Sequence, residues 1–218
     1  MYDRLIRSDR RTLALELDHL GRLTVRAPKR MSQTEIDAFL LQKQSWIEQK
    51  RNALSVRTPL HPPLSGRDGE TVLYLGQPLN VTLAKVSCVA KTGGELLAPF
   101  GEETVSSIAR WYTTEAARLL PSRVGTICAG MGIAPLKIRV SSAHTRWGSM
   151  SSRGTLSLSR ALVMCPPDVI DYVIVHELCH LRQMNHSYAF WALVGRAMPD
   201  FKQKQEWLKE HASLIRVL

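Results

Sequence analysis

The sequence predicts a mixed α+β fold, and three observations carry that expectation. The stretch from Pro166 to Leu181 holds Val169, Ile170, Val173, Ile174, Val175, Leu178 and Leu181, apolar on nearly every face, as a buried helix must be. Short alternating runs divided by Gly- and Pro-rich turns read as strands on either side of the chain's helical segments. Ser32-Gln-Thr-Glu35 is a capping box, with a helical periodicity behind it. A chain of 218 residues suits one large domain or two small ones and can bury a sizeable core. The expected division is 1–100, a β-rich amino-terminal part with one amphipathic helix, and 101–218, the part that carries the buried helix.

In chain order, Thr12 to Leu17 alternates with Leu13, Leu15 and Leu17 on one side. Asp18-His-Leu-Gly-Arg22 then turns it into Leu23 to Ala27 as a hairpin. Behind the capping box, Ile36, Phe39, Leu40, Lys43, Trp46 and Ile47 trace one helical face to about Lys50. Residues 57–69 form a loop. Val72 to Leu75, Leu79 to Leu83 and short strands around Val86 and Leu96 make a small β layer turned at Gly76 and Gly93-Gly94. Thr104 to Leu120 reads as a helix that Pro121 separates from a second stretch ending near Gly130. Leu136 to Val140 and Thr155 to Ser159 read as strands flanking a turn at Arg146-Trp147-Gly148-Ser149, and Pro166-Pro167 suits the first turn of the buried helix.

The net charge of +10 and pI near 9.8 draw polyanions: nucleic acid, nucleotides or acidic peptides. Arg4, Arg7, Arg10, Arg11, Arg26, Lys29 and Arg30 gather much of that charge at the amino end, where non-specific nucleic-acid contact is conceivable. No helix-turn-helix, finger or RNA-binding signature accompanies it. Cys88, Cys128, Cys165 and Cys179 form no CxxC pair, which argues against a thiolate zinc knuckle and a disulfide framework. There is no run of eighteen apolar residues, and the opening Met1-Tyr-Asp-Arg lacks a secretory apolar stretch, so a cytoplasmic, non-membrane protein is expected.

The chemistry lies in His176-Glu177-Leu178-Cys179-His180, with five residues between His180 and His186. Helical residues four apart share a face, so His176 and His180 can reach one metal ion. Glu177 lies roughly 100° around the helix, where a carboxylate can take a proton from a metal-bound water. Cys179 faces away from the histidine line and reads as a small buried hydrophobe. In an unbroken helix His186 would point roughly 240° away from His180, so the helix must stop first; Asn185, which tolerates positive φ, is the expected break. The spacing equals that of HExxHxxGxxH, but Gln183 replaces its glycine. Glu206 and Glu210, on the following helix, are the rival third ligands; proximity and the break favour His186. Three imidazoles with an open fourth position are the usual catalytic set of zinc, although nickel or manganese could use them.

Val175-His-Glu-Leu-Cys-His-Leu181, Asn185-His-Ser187, Phe190-Trp-Ala-Leu-Val194 and Met198-Pro-Asp-Phe201 resemble the YgjP-like (DUF45) metallopeptidase family. So do Thr145-Arg-Trp-Gly-Ser149, Ser151-Ser-Arg-Gly-Thr-Leu-Ser157, Pro166-Pro-Asp-Val-Ile-Asp-Tyr172, Arg10-Arg-Thr-Leu13 and Val25-Arg-Ala-Pro-Lys29. The resemblance implies a zincin-like α+β fold related to SprT and Wss1-type proteases, with His176, His180 and His186 as metal ligands and Glu177 as general base. Met150 stands where the family usually has Cys, and Cys179 where it usually has Ala. In such folds the sheet beside the metal helix offers an edge strand to an extended peptide. Thr155 to Ser159 is the expected edge, which makes Ser157 a substrate contact, while Arg146 and Trp147 are expected to line the cleft. The function expected is peptide hydrolysis. The alternatives are phosphoanhydride hydrolysis of nucleoside triphosphates, with Arg146 and Arg182 neutralising phosphate charge, and a nucleic-acid-bound adaptor whose metal is structural.

Overall fold

The computed structural model describes residues 2–17, 21–55 and 60–218, and the chain divides into two compact units, Met1–Pro59 and Leu60–Leu218. In the first unit, strand β1 (Arg4–Ser8) runs parallel to β3 (Leu23–Pro28), which pairs antiparallel with β2 (Ala14–Leu17). The β2/β3 pairing is the expected hairpin, although part of its turn lies outside the described residues. β1 was not foreseen, because its Arg and Ser residues mask Leu5 and Ile6. Helix α1 (Gln33–Gln42) opens on the capping box: the Ser32 hydroxyl accepts from the Glu35 N–H, and the Glu35 carboxylate accepts from the Ser32 N–H at 2.7 Å. The single helix expected to Lys50 is two, since α1 ends at Lys43 and α2 (Gln44–Ser55) follows. Leu23, Val25, Ala27, Ile36 and Ile47 form this unit's core.

The second unit begins with a four-stranded sheet of order β4-β5-β7-β6, from β4 (Thr71–Tyr74), β5 (Gln77–Ala84), β6 (Ala90–Thr92) and β7 (Glu95–Pro99). Val86 falls between strands. Gly76, with φ 79°, makes the β4/β5 turn, and a Cβ there would lie 2.9 Å from Pro166 Cγ. The turn is tied to the segment ahead of the buried helix, since Leu75 N–H donates to Val163 O and Gly76 N–H to Met164 O. Val72, Val81, Leu96 and Ala98 belong to the same core as the helical part, so the division falls at Pro59/Leu60 and not near Gly101. A shared core, invisible in strand periodicity, sets the boundary.

Helix α3 (Thr104–Met131) passes straight through Pro121 and ends at left-handed Gly132, where two helices were expected. Proline removes one helical N–H, but Leu120 and Val124 are fully buried on either side of it, and packing outweighs that local cost. Strands β8 (Lys137–Ser141), β9 (Gly148–Met150) and β10 (Thr155–Ser159) form a sheet of order β8-β10-β9, and after a 3-10 turn helix α4 (Pro167–Cys179) crosses it. Helices α5 (Tyr188–Ala197) and α6 (Phe201–Glu210) pack on α4. Arg123 of α3 clamps Asp171 of α4 with two bonds of 2.7 Å. The molecule is thus α+β, with the motif-bearing helix beside a small sheet. Among the described residues no helix is long and apolar enough to cross a membrane.

The edge expected at Thr155–Ser159 is a correction. β10 is the central strand, paired with β8 on one side and β9 on the other, so its backbone has no open edge for a peptide. Leu156 and Leu158 do point into the core, as their alternation required. Alternation says which face is buried but not which strands flank it, and three-residue β9 is too short to show as a strand.

Candidate metal centre

α4 is buried on most sides, with Ile170, Ile174 and Leu178 fully inaccessible, and this fixes the helix against rotation. His176 and His180 therefore project from one defined face. α4 stops at Cys179, whose carbonyl accepts from both Arg182 N–H and Gln183 N–H at 3.0 Å. The chain then turns back to α5 and brings His186 to the same place. Asn185 does not make the break by left-handed backbone, since Leu75 is the non-glycine residue with positive φ among those described. The helix has already ended, and Asn185 instead accepts from the Gln183 amide at 2.6 Å.

One ring nitrogen from each of His176, His180 and His186 lies within 4.8 Å of the others. His186 Nε2 and His176 Nε2 are 3.1 Å apart. Two ligands on one tetrahedral ion at zinc–nitrogen distances of about 2.0–2.1 Å would be roughly 3.3 Å apart, so the pair is spaced as a shared ion requires. His180 Nδ1 lies 3.1 Å from the Gln183 carbonyl, which orients the ring and leaves Nε2 for the cluster. His176 Nδ1 is buried without a hydrogen-bond partner among the described residues. Phe190 stacks on His180 at 4.6 Å, and Tyr172 and Trp191 meet the His176 ring edge to face. Burial first, then the charges of His180 and His186, push His176 down to about 4, and burial also lowers His180. Neutral imidazole is the form that ligates metal. The donor set and its convergence fit a zinc-like ion.

Glu177 is 7% exposed on the adjoining flank of α4. Burial raises its carboxyl to about 7, against the opposing pull of the Met150 N–H, which donates to it, and of the Arg146 charge. Gly148 packs directly on it: a Cβ there would lie 2.8 Å from Glu177 Cγ and 2.9 Å from Oε1. Sequence reasoning singled out neither Gly148 nor Met150 for this role; the Trp-Gly-Ser triplet was the available signal, but it was read as a turn.

The other expected residues are divided. Arg146 lies near Glu177, and Trp147 packs partly buried against the core. Ser157 is not on an edge, but lines a concavity with Arg139, Arg146 and Gly148. Arg182 lies with Cys179 and Arg196 in a different concavity, on the flank of α4 away from Glu177. Burial pushes the Cys179 thiol up to about 11, consistent with inert packing. Among the described residues Glu206 and Glu210 are outside the cluster, and Glu206 instead pairs with Lys209 at 2.9 Å. At the amino end, Arg26 pairs with Glu16, Lys29 with Asp9, and Arg7 bonds the Met31 carbonyl, so part of the basic patch serves internal structure.

A helix-borne His pair, a third His from the following turn and an adjoining buried carboxylate define a metal-dependent hydrolase of the metallopeptidase class. The chain belongs to the YgjP-like, metallopeptidase domain family, whose pattern it matches over residues 11–211. No curated protein matches the chain by sequence. Two solved structures resemble part of it: the metallopeptidase zymogens abylysin of Pyrococcus abyssi and jannalysin of Methanocaldococcus jannaschii. They are 20% and 19% identical, with TM-scores of 0.38 and 0.39, over 42% and 43% of this chain and 94% and 96% of their own.

Proposed function

We propose that the protein is a zinc peptidase in which His176, His180 and His186 hold the ion and Glu177 is the general base. The convergence of three imidazole nitrogens within 4.8 Å, beside a buried carboxylate, carries this reading. A zinc ion bound there would supply Lewis-acid polarisation of the scissile carbonyl and acidify water. Glu177 takes the proton of the attacking water and returns it to the leaving amine nitrogen. The Met150 N–H and the close approach of Gly148 hold the carboxylate in one place for both transfers. β9 is the strand available to a substrate: its side away from β10 has no strand partner among the described residues. Trp147 and Ser151 bond to β10, so by antiparallel alternation the intervening Gly148 and Met150 peptide groups point away from it. The Met150 N–H is taken by Glu177, so an extended peptide added there pairs through the Gly148 N–H and the Gly148 and Met150 carbonyls and lies beside Glu177.

Phosphoanhydride hydrolysis is less well supported, because only one of the two arginines it would call on, Arg146, lies near Glu177. The structural-metal adaptor leaves a buried carboxylate beside the ligands without a purpose. Four free cysteines, two of them buried, favour a reducing compartment, in keeping with a cytoplasmic protein. The test is metal analysis of the purified protein, followed by chelation and add-back with casein and nucleoside triphosphates as parallel substrates. We expect about one zinc per chain and metal-dependent peptide cleavage; metal-dependent phosphate release without proteolysis would overturn the peptidase reading.

A further inference from the structure

A concavity of about 250 Å³ shares a wall with the candidate metal centre. It is built by strand alternation. Arg139 of β8 and Ser149 of β9 both lie opposite Ser157 of β10, and Ser141 lies opposite Ser159 one step along. Leu156, Leu158 and Met150, which take the alternate positions, face the core, so the other face of the sheet is polar. Arg146 and Gly148 complete the lining, and Gly148 is the residue that packs on Glu177.

The floor is rigid. Ser141 Oγ accepts from Ala143 N–H at 3.0 Å, while Ser159 Oγ donates to Ala143 O at 3.1 Å and accepts from Ala161 N–H at 3.3 Å. The Ser149 and Ser157 hydroxyls and both guanidiniums form no hydrogen bond or direct ion pair among the described residues, although the Arg146 charge acts on Glu177, which packs against Gly148. Among the described residues no acidic side chain lines the concavity. Two like charges over one small concavity repel each other, and an anion between them relieves that repulsion while accepting from both hydroxyls.

We propose that this concavity is a substrate subsite for a peptide carboxylate close to the scissile bond, paired with Arg139 and Arg146 and bonded by Ser149 and Ser157. It rests on the peptidase reading above, which puts a peptide along β9. An Asp or Glu side chain and a free chain terminus offer the same carboxylate, and the experiment separates them.

Metal-loaded protein is assayed on peptides differing only by Glu or Gln at each position around the cleaved bond, each with a free or amidated terminus. One acidic position, or the free terminus, should raise kcat/KM roughly tenfold through KM, and the gain should shrink with salt. Arg139→Glu should turn the preference toward Lys at that position. Calorimetry on metal-free protein supplies a readout independent of turnover: the Glu peptide should bind more tightly than its Gln counterpart, and Arg139→Gln should erase the difference. Cleavage with no carboxylate preference overturns the subsite and leaves the peptidase reading standing. Absence of cleavage with the binding difference intact supports the carboxylate site and overturns the peptidase reading instead. Inorganic triphosphate that displaces the Glu peptide at concentrations below the peptide's own Kd would reassign the concavity to phosphate.

Discussion

Two histidine clusters in the second unit teach what distinguishes rings arranged to share an ion from rings packed on one another. In the first, His176, His180 and His186 bring nitrogens to a common point, and two of the nearest are 3.1 Å apart. In the second, His61 and His211 bring faces together: their centroids are 5.4 Å apart, and His211 lies flat on Trp207 at 3.9 Å and 5°. His211 also spends Nδ1 on the Trp207 carbonyl at 2.9 Å. Stacked faces stabilise through contact area, whereas converging lone pairs stabilise nothing until something positive lies between them.

The largest expected effect breaks the first cluster. His176→Ala, His180→Ala and His186→Ala should each lower metal affinity by more than the roughly 10–100-fold that loss of an outer-sphere partner costs. His61→Phe and His211→Phe should leave metal content unchanged and move stability by no more than about 1 kcal/mol, or roughly 2–4 °C in Tm, with His61→Phe the smaller of the two at neutral pH. Metal content and melting curves for the five variants decide this. Full metal retention in His186→Ala would remove His186 from the ligand set.

Next comes Glu177→Gln, which keeps the shape of the side chain but removes the base. Turnover should fall by about two to four orders of magnitude with the metal retained. An unchanged rate would end the mechanism proposed for this carboxylate. A smaller loss is expected from Gly148→Ala, whose added methyl must displace Glu177 Cγ from 2.8 Å. A misplacement of this kind costs up to about 100-fold in rate. The loss should appear in kcat with metal content unaltered; wild-type kcat in Gly148→Ala would show that the position of Glu177 does not limit the reaction.

What was legible in the sequence follows the range of each signal. The capping box at Ser32, the helix start at Pro166-Pro167 and the His176/His180 face depend on residues within one or two turns of each other, and all three appear as read. The centrality of β10 depends on which distant strands flank it, and Leu156 and Leu158 alternate the same way in either case. Pro121 illustrates a local rule overridden by packing, because the burial of Leu120 and Val124 holds the helix together across it. Gly148 is a tertiary fact: its small size matters only because Glu177 arrives from another element.

The smallest expected effect sharpens the comparison from the stacked pair. Burial, then the charge of His211, lowers the pKa of His61, and its Nε2 is buried without a partner among the described residues. The folded state therefore binds fewer protons at this site than the unfolded state does. As pH falls through the unfolded value of about 6.5, protons favour the unfolded chain, and stability is lost until the folded pKa is also passed. His61→Phe removes the titration but keeps the stacked ring, and the His61 backbone N–H can still donate to Ser213 Oγ. The Tm of the metal-loaded variant should thus match or slightly exceed that of the parent at neutral pH, and the gap should widen on acidification below about pH 6.5. Reading the difference between variant and parent cancels the acid sensitivity that protonation of the metal-site histidines contributes to both. A gap that stays constant with pH would mean that His61 titrates alike in the folded and unfolded chains and that its stacking on His211 carries no electrostatic cost.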